Sequence, residues 1–230
     1  MSSDPARQIP LDLGHRTALG REDFLVAPCN QDAVAWIDRW PDWPAPALVL
    51  HGLPASGKTH LAAVWGDHTG ALWVDASELI VQDAEILAGD AAHLVIDHLD
   101  PWIGDLAAET TLFHVYNMMK ERGTSLMVTM RTAPGQIAFA LPDLSSRLRA
   151  APAVAIDPPD DTLLAAVFVK LFNDRQLQVG ADVIAYVLPR MERSFAAARD
   201  IVARADHLAL GEKRGISVPL MRQVLSITQD

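Results

Sequence analysis

Gly52-Leu53-Pro54-Ala55-Ser56-Gly57-Lys58-Thr59 fits the pattern G-x-x-x-x-G-K-[ST]. This is the P-loop, a turn whose backbone N–H groups converge on phosphate. Its two glycines let the chain fold tightly around an anion, and the helix that follows aims its N-terminus at the same point. Lys58 adds a point charge for the outer phosphates, and the Thr59 hydroxyl is a ligand for Mg²⁺. The phosphate-binding run is read as Gly52, Pro54, Ala55, Ser56, Gly57, Lys58, Thr59 and His60. The bound species expected is ADP or ATP, with Mg.

Other residue types with chemistry to offer stand at strand ends. His93-Leu94-Val95-Ile96-Asp97 is an apolar run closing on a carboxylate, which a rigid strand would hold near Mg²⁺. His98 follows where many ATPases carry a second acid to orient water, and Asp100 comes two positions further on. Thr129 ends the run Ser125-Leu126-Met127-Val128 and is either a γ-phosphate sensor or a plain strand-end hydrogen-bonding group. Upstream of the loop, Phe24, Leu25 and Val26 are placed to lie against an adenine.

The elements that must position these groups follow from periodicity. Ala47–Leu50, Ala71–Val74, His93–Asp97, Ser125–Thr129 and Ala153–Ile156 read as buried strands. Helical stretches separate them, so the chain predicts an α/β fold with a parallel sheet covered on both faces. The helix opening at Asn30-Gln31-Asp32 takes in Ala33, Val34, Trp36, Ile37 and Trp40, and the proline-rich stretch to Pro46 breaks it. Its tryptophans are read as packing residues. From Asp160 the pattern becomes all-helical, with an amphipathic helix through Leu163, Val167, Leu171 and Phe172 and three more helices behind it. The expected division is a tail at 1–18, a nucleotide-binding core at 19–157 and a helical lid at 158–230. In the tail, Gln8-Ile9-Pro10-Leu11-Asp12-Leu13 is either an extended peptide that docks in a groove or a segment packed on the body.

Composition narrows the classes. The formal charge of −10 over 230 residues, with no dense basic block, argues against a DNA-coating protein. No apolar run approaches a membrane span, no signal pattern opens the chain, and Cys29 is the only cysteine, so a cytoplasmic location is expected.

Taken together, the P-loop, Asp97, Thr129, Ala140-Leu141-Pro142-Asp143-Leu144-Ser145-Ser146-Arg147-Leu148 and the lid segment from Asp160 to Val187 resemble an AAA+ ATPase of the DnaA type. With Gln8–Leu13, the chain resembles most closely the Hda family, DnaA paralogues that act in regulatory inactivation of DnaA. The resemblance implies a P-loop AAA+ core with a small C-terminal helical lid. It implies that Gln8, Ile9, Leu11 and Leu13 bind the sliding clamp of the replicase, and that Asn30 lies near the adenine. It further implies that Arg147 is an arginine finger acting in trans and that Arg193 is the lid's sensor arginine. DnaA itself becomes a partner, self-association is possible, and DNA is reached mainly through the clamp. His98 departs from the acid that DnaA proteins carry, and Met130-Arg131 departs from the polar or acidic residues usual there. Both weaken the expectation of vigorous intrinsic hydrolysis. The alternatives are a nucleotide-stabilised adaptor without a catalytic contribution, and a self-sufficient ATPase of the helicase-loader type.

Overall fold

The computed structural model describes residues 25–212 and 214–226. Phe24 and the whole of the Gln8–Leu13 motif lie outside the described residues.

Five strands form one parallel sheet: β1 (Ala47–His51), β2 (Leu72–Asp75), β3 (His93–Asp97), β4 (Ser125–Met130) and β5 (Ala153–Ala155). Their order across the sheet is β2-β3-β4-β1-β5. The apolar runs alternate between two faces, as a pleated strand requires. Ala47, Val49, Leu94, Ile96, Leu126 and Val128 face one core, and Leu48, Leu50, Val95 and Met127 face the other. All six residues of β4 are buried, because it has a strand on each side and helices on both faces. The β2 edge has one covering neighbour, which leaves Leu72 and Trp73 partly in solvent.

Helices α1 (Gln31–Asp38) and α2 (Lys58–Thr69) cover one face, and α4 (Leu106–Arg122) covers the other with the short α3 (Ala84–Ala88). Helix α4 opens at Leu106, ahead of the large apolar residues of its buried face, which run from Leu112. Asp105 accepts from the Ala108 N–H and caps the end, so Leu106 is already helical. Helix α5 (Pro142–Ala150) seats Leu144 and Leu148, one turn apart, in the α4 core.

The tryptophans pack, as read. Trp43 stacks on Trp65 at 5.4 Å, and Trp40 stands edge-on to His93 at 5.1 Å. Their indole N–H groups donate to Trp36 O and to Ser125 Oγ. This cluster sits at the N-terminal ends of β3 and β4, away from Asp97 and Thr129.

Four further helices, α6 (Asp161–Asp174), α7 (Ala181–Val187), α8 (Phe195–Glu212) and α9 (Val218–Ser226), enclose a third apolar core of their own. The Asp160 carboxylate accepts from the Leu163 N–H at 2.7 Å and starts α6. No helix among the described residues is long and apolar enough to cross a membrane.

Candidate functional site

In a parallel sheet the carboxyl ends of the strands all point one way, and ligands collect there. The loop after β1, the end of β3 and the end of β4 therefore meet, although β3 is not β1's neighbour. The loop's glycines serve different ends. A Cβ on Gly52 would lie 2.2 Å from the Ile156 carbonyl oxygen, so only glycine lets the loop start against the chain leaving β5. Gly57 holds φ at +104°, and a Cβ there would meet the Phe195 ring of the lid at 3.3 Å.

Two cavities adjoin at this loop. The larger, about 550 Å³, has the run from Ala55 to His60 as its floor. Ile156 and the α6 residues Leu163, Val167 and Leu171 form an apolar wall, with Phe195 and Arg199 of α8 opposite. The smaller, about 250 Å³, lies past Lys58 and is bounded by Asp97, His98, Asp100, Thr129 and Arg131. Ala55, Lys58 and Thr59 border both.

Lys58 Nζ donates to the carbonyls of Gly52 and Leu53, each at 2.8 Å. Burial pulls its pKa below the usual lysine range, against the nearby Asp100 and Asp97 carboxylates, which raise it. The Ser56 hydroxyl is buried in the large cavity without a hydrogen-bond partner. An orphaned hydroxyl beside a lysine that can bond only its own loop is what a missing anion would leave behind. Thr59 Oγ1 lies 3.2 Å from both Asp97 oxygens. Those two oxygen donors could hold Mg²⁺ together with phosphate oxygens and water.

The other expected site residues are placed as follows. Thr129 is buried; its hydroxyl donates to Asp97 Oδ1 at 2.5 Å and accepts from the His98 N–H at 2.9 Å. It thus fixes the carboxylate. Leu25 and Asn30 line the large cavity, whereas Val26 packs into the sheet core. The buried Asn30 amide is spent locally: Oδ1 accepts from Ala27 N and Nδ2 donates to Leu25 O, so it shapes the wall by holding Leu25. Pro54 borders the small cavity, and Gly52 borders neither. Arg193 pairs with Asp161 at 3.2 Å on the surface and borders neither cavity; Arg199, about one turn into α8, borders the larger one. Arg147 is half-buried on α5 and away from both cavities.

Sequence reasoning passed over three contributors. The apolar wall from α6 was legible as a helix face but not as a ligand wall. Arg131 carried a signal only as a departure from the usual polar residue. Glu109 gave none. It is 1 % exposed, with Oε1 accepting from Gly104 N and Oε2 from Leu141 N, and so ties α4 to the start of α5.

This fold and loop define the class: an AAA+ protein, with a P-loop core on a parallel sheet and a C-terminal helical lid. The structure is similar to domain III of the replication initiation protein DnaA from Thermotoga maritima, with a TM-score of 0.80 at 16% identity over 88% of this chain and 93% of that one. It is also similar to AMPPCP-bound DnaA from Aquifex aeolicus, with a TM-score of 0.68 at 16% identity over 84% and 68%. A RuvB variant from Thermotoga maritima follows at 0.62 and 15% identity over 79% and 62%. Residues 161–225 match the family described as Hda, lid domain. The lid thus matches that of the Hda family, and it is joined to a core similar in fold to domain III of DnaA.

Proposed function

We propose that this protein is a clamp-tethered regulator of replication initiation that binds adenine nucleotide and stimulates ATP hydrolysis on DnaA. One observation carries the nucleotide reading: a cavity whose floor is a P-loop with an unpartnered buried hydroxyl and whose wall is an Hda lid. An apolar slot beside converging N–H groups suits a flat base joined to phosphates. Ala55 to His60 would cradle the phosphates, Lys58 would exchange its loop carbonyls for phosphate oxygens, and Leu25 and the α6 face would take the base. Mg²⁺, held by Thr59 and Asp97, would neutralise phosphate charge when bound.

The division at residues 1–18, 19–157 and 158–230 belongs to the same reading, and the separate lid core supports its second boundary. So do docking through Gln8, Ile9, Leu11 and Leu13, the trans finger at Arg147, a sensor role for Thr129 through the Asp97 carboxylate it fixes, one for Arg193 on release from Asp161, and a cytoplasmic location. His98 stands at the end of β3 with φ +62° and its Nε2 3.5 Å from an Arg131 nitrogen, so that position offers no carboxylate to orient water. This favours action on DnaA's nucleotide over rapid turnover of the protein's own.

The test is reconstitution. This protein, DNA-loaded clamp and DnaA–ATP are mixed, and ATP hydrolysis is followed with each component omitted in turn. Stimulation is expected only with all three. Stimulation without clamp would remove the tether, and none with the full set would leave the adaptor reading.

A further inference from the structure

We propose that Arg131 reads the terminal phosphate in this chain's own site: its guanidinium binds the outermost phosphate of a nucleoside triphosphate in cis and adds nothing to diphosphate affinity. The proposal rests on the nucleotide reading above.

Four observations lead to it. First, the small cavity continues from the large one across Lys58, on the side away from the apolar wall. A nucleotide with its base against α6 and its inner phosphates in the loop would direct its last phosphate there. Second, the Arg131 backbone is tied to the loop itself. Its carbonyl accepts from the Gly52 N–H at 3.1 Å, and its N–H donates to Asp100 Oδ1 at 2.7 Å. Its Cα therefore cannot shift without the P-loop shifting.

Third, the guanidinium is not committed elsewhere. Its contact is the His98 ring, and among the described residues no carboxylate lies within ion-pair distance of it. Asp97 is engaged with Thr129 and Thr59, and Asp100 holds the Arg131 N–H with its other oxygen buried at the cavity. Arg131 also lies close enough to Lys58 to push its pKa down, which is the repulsion a shared anion would relieve. Fourth, Thr129 is the polar group expected to sense this phosphate, but its hydroxyl already both donates and accepts. Two residues further along, Arg131 offers a planar donor fork that matches phosphate oxygens, which a hydroxyl cannot equal.

The experiment is calorimetric titration of the full chain, with Mg²⁺ present, using ADP and the non-hydrolysable AMPPCP. Arg131→Ala is expected to raise the AMPPCP Kd about tenfold or more and to leave the ADP Kd within about twofold. Arg131→Lys should recover part of the loss, because charge remains without the fork. Arg131→Gln, with similar bulk, keeps the measurement decisive should the alanine variant misfold. An unchanged AMPPCP Kd, or equal losses for both nucleotides, overturns the assignment while the nucleotide reading survives. Wild-type protein that binds neither nucleotide overturns both.

Discussion

At the scale of single residues, the loop makes opposite demands on stability and binding. Ser56 buries an unpartnered hydroxyl, which costs about 1–3 kcal/mol in the unliganded fold. Ser56→Ala is therefore expected to raise the melting temperature of the free protein while shrinking the rise that ADP produces. Lys58→Ala should abolish that rise, since ligand stabilisation follows binding by mass action. An unaltered ADP-induced shift in both variants would contradict the cavity's assignment. In the function proposed above, Arg147 would act on a phosphate of another subunit. Arg147→Ala is expected to keep ADP binding and to lose about a thousandfold or more of the stimulated DnaA hydrolysis, within the range known for arginine fingers. Arg149 is a poor control, because its guanidinium donates to the carbonyls of Pro134 and Ile137. The exposed Arg222 on α9 is the better one. Loss on Arg222→Ala as well would mean that only surface charge was removed.

At the scale of elements, two polar contacts decide how strands and helices meet. His93 at the start of β3 accepts the Ser125 N–H of β4 on Nδ1, at 3.2 Å, so this ring is neutral in the fold. Burial lowers its pKa, and burial likewise lowers that of His51 at the end of β1. A histidine depressed in the fold binds more protons when unfolded. Stability is then full above the unfolded value, near 6.5, and is lost as pH falls from there through the folded value. Urea midpoints should drop on going from neutral pH to about 5, and His93→Gln should flatten part of that slope. A slope unchanged in His93→Gln would assign the loss to other groups. Glu109 is the second contact. Glu109→Ala removes the acceptor of the Gly104 and Leu141 N–H groups, at about 2 kcal/mol in urea unfolding. Because Leu141 opens α5, the same change is expected to weaken DnaA stimulation through a displaced Arg147. A fully active but destabilised variant would show that α5 does not depend on this tie.

At the scale of the whole molecule, the lid has its own core and meets the P-loop through Phe195, which faces Gly57. Phe195→Ala is expected to leave the sheet domain folded and to raise the ADP Kd several-fold. Hydrogen exchange should show faster opening of α6 and α8 in the variant than in the wild type. Wild-type ADP affinity in the variant would mean that the lid contributes no closure.

The sequence by itself determined the parts whose physics is local or periodic. The P-loop was legible because its phosphate-binding groups are contiguous, and their conformation follows from two glycines and a helix start. The five strands were legible because an apolar run between polar turns has few other places to go. Asp97 was readable as a strand-end carboxylate, and Asp160 as the point where the all-helical pattern begins. The lid helices showed their faces through spacing alone. What only tertiary structure decided is which long-range neighbours share a polar atom. Thr129 and Arg131 stand on one strand two residues apart, yet the hydroxyl is consumed by Asp97 and the carbonyl of Arg131 takes the loop's first N–H. Arg193 and Arg199 stand on one helix approach, and whether Asp161 or the cavity meets each depends on how α6 packs against α8. Leu163, Val167 and Leu171 are an ordinary amphipathic stripe until the lid is set over the P-loop and turns them into a wall. Spacing fixes where a side chain sits on its own element, but the angle and distance between elements fix what it touches.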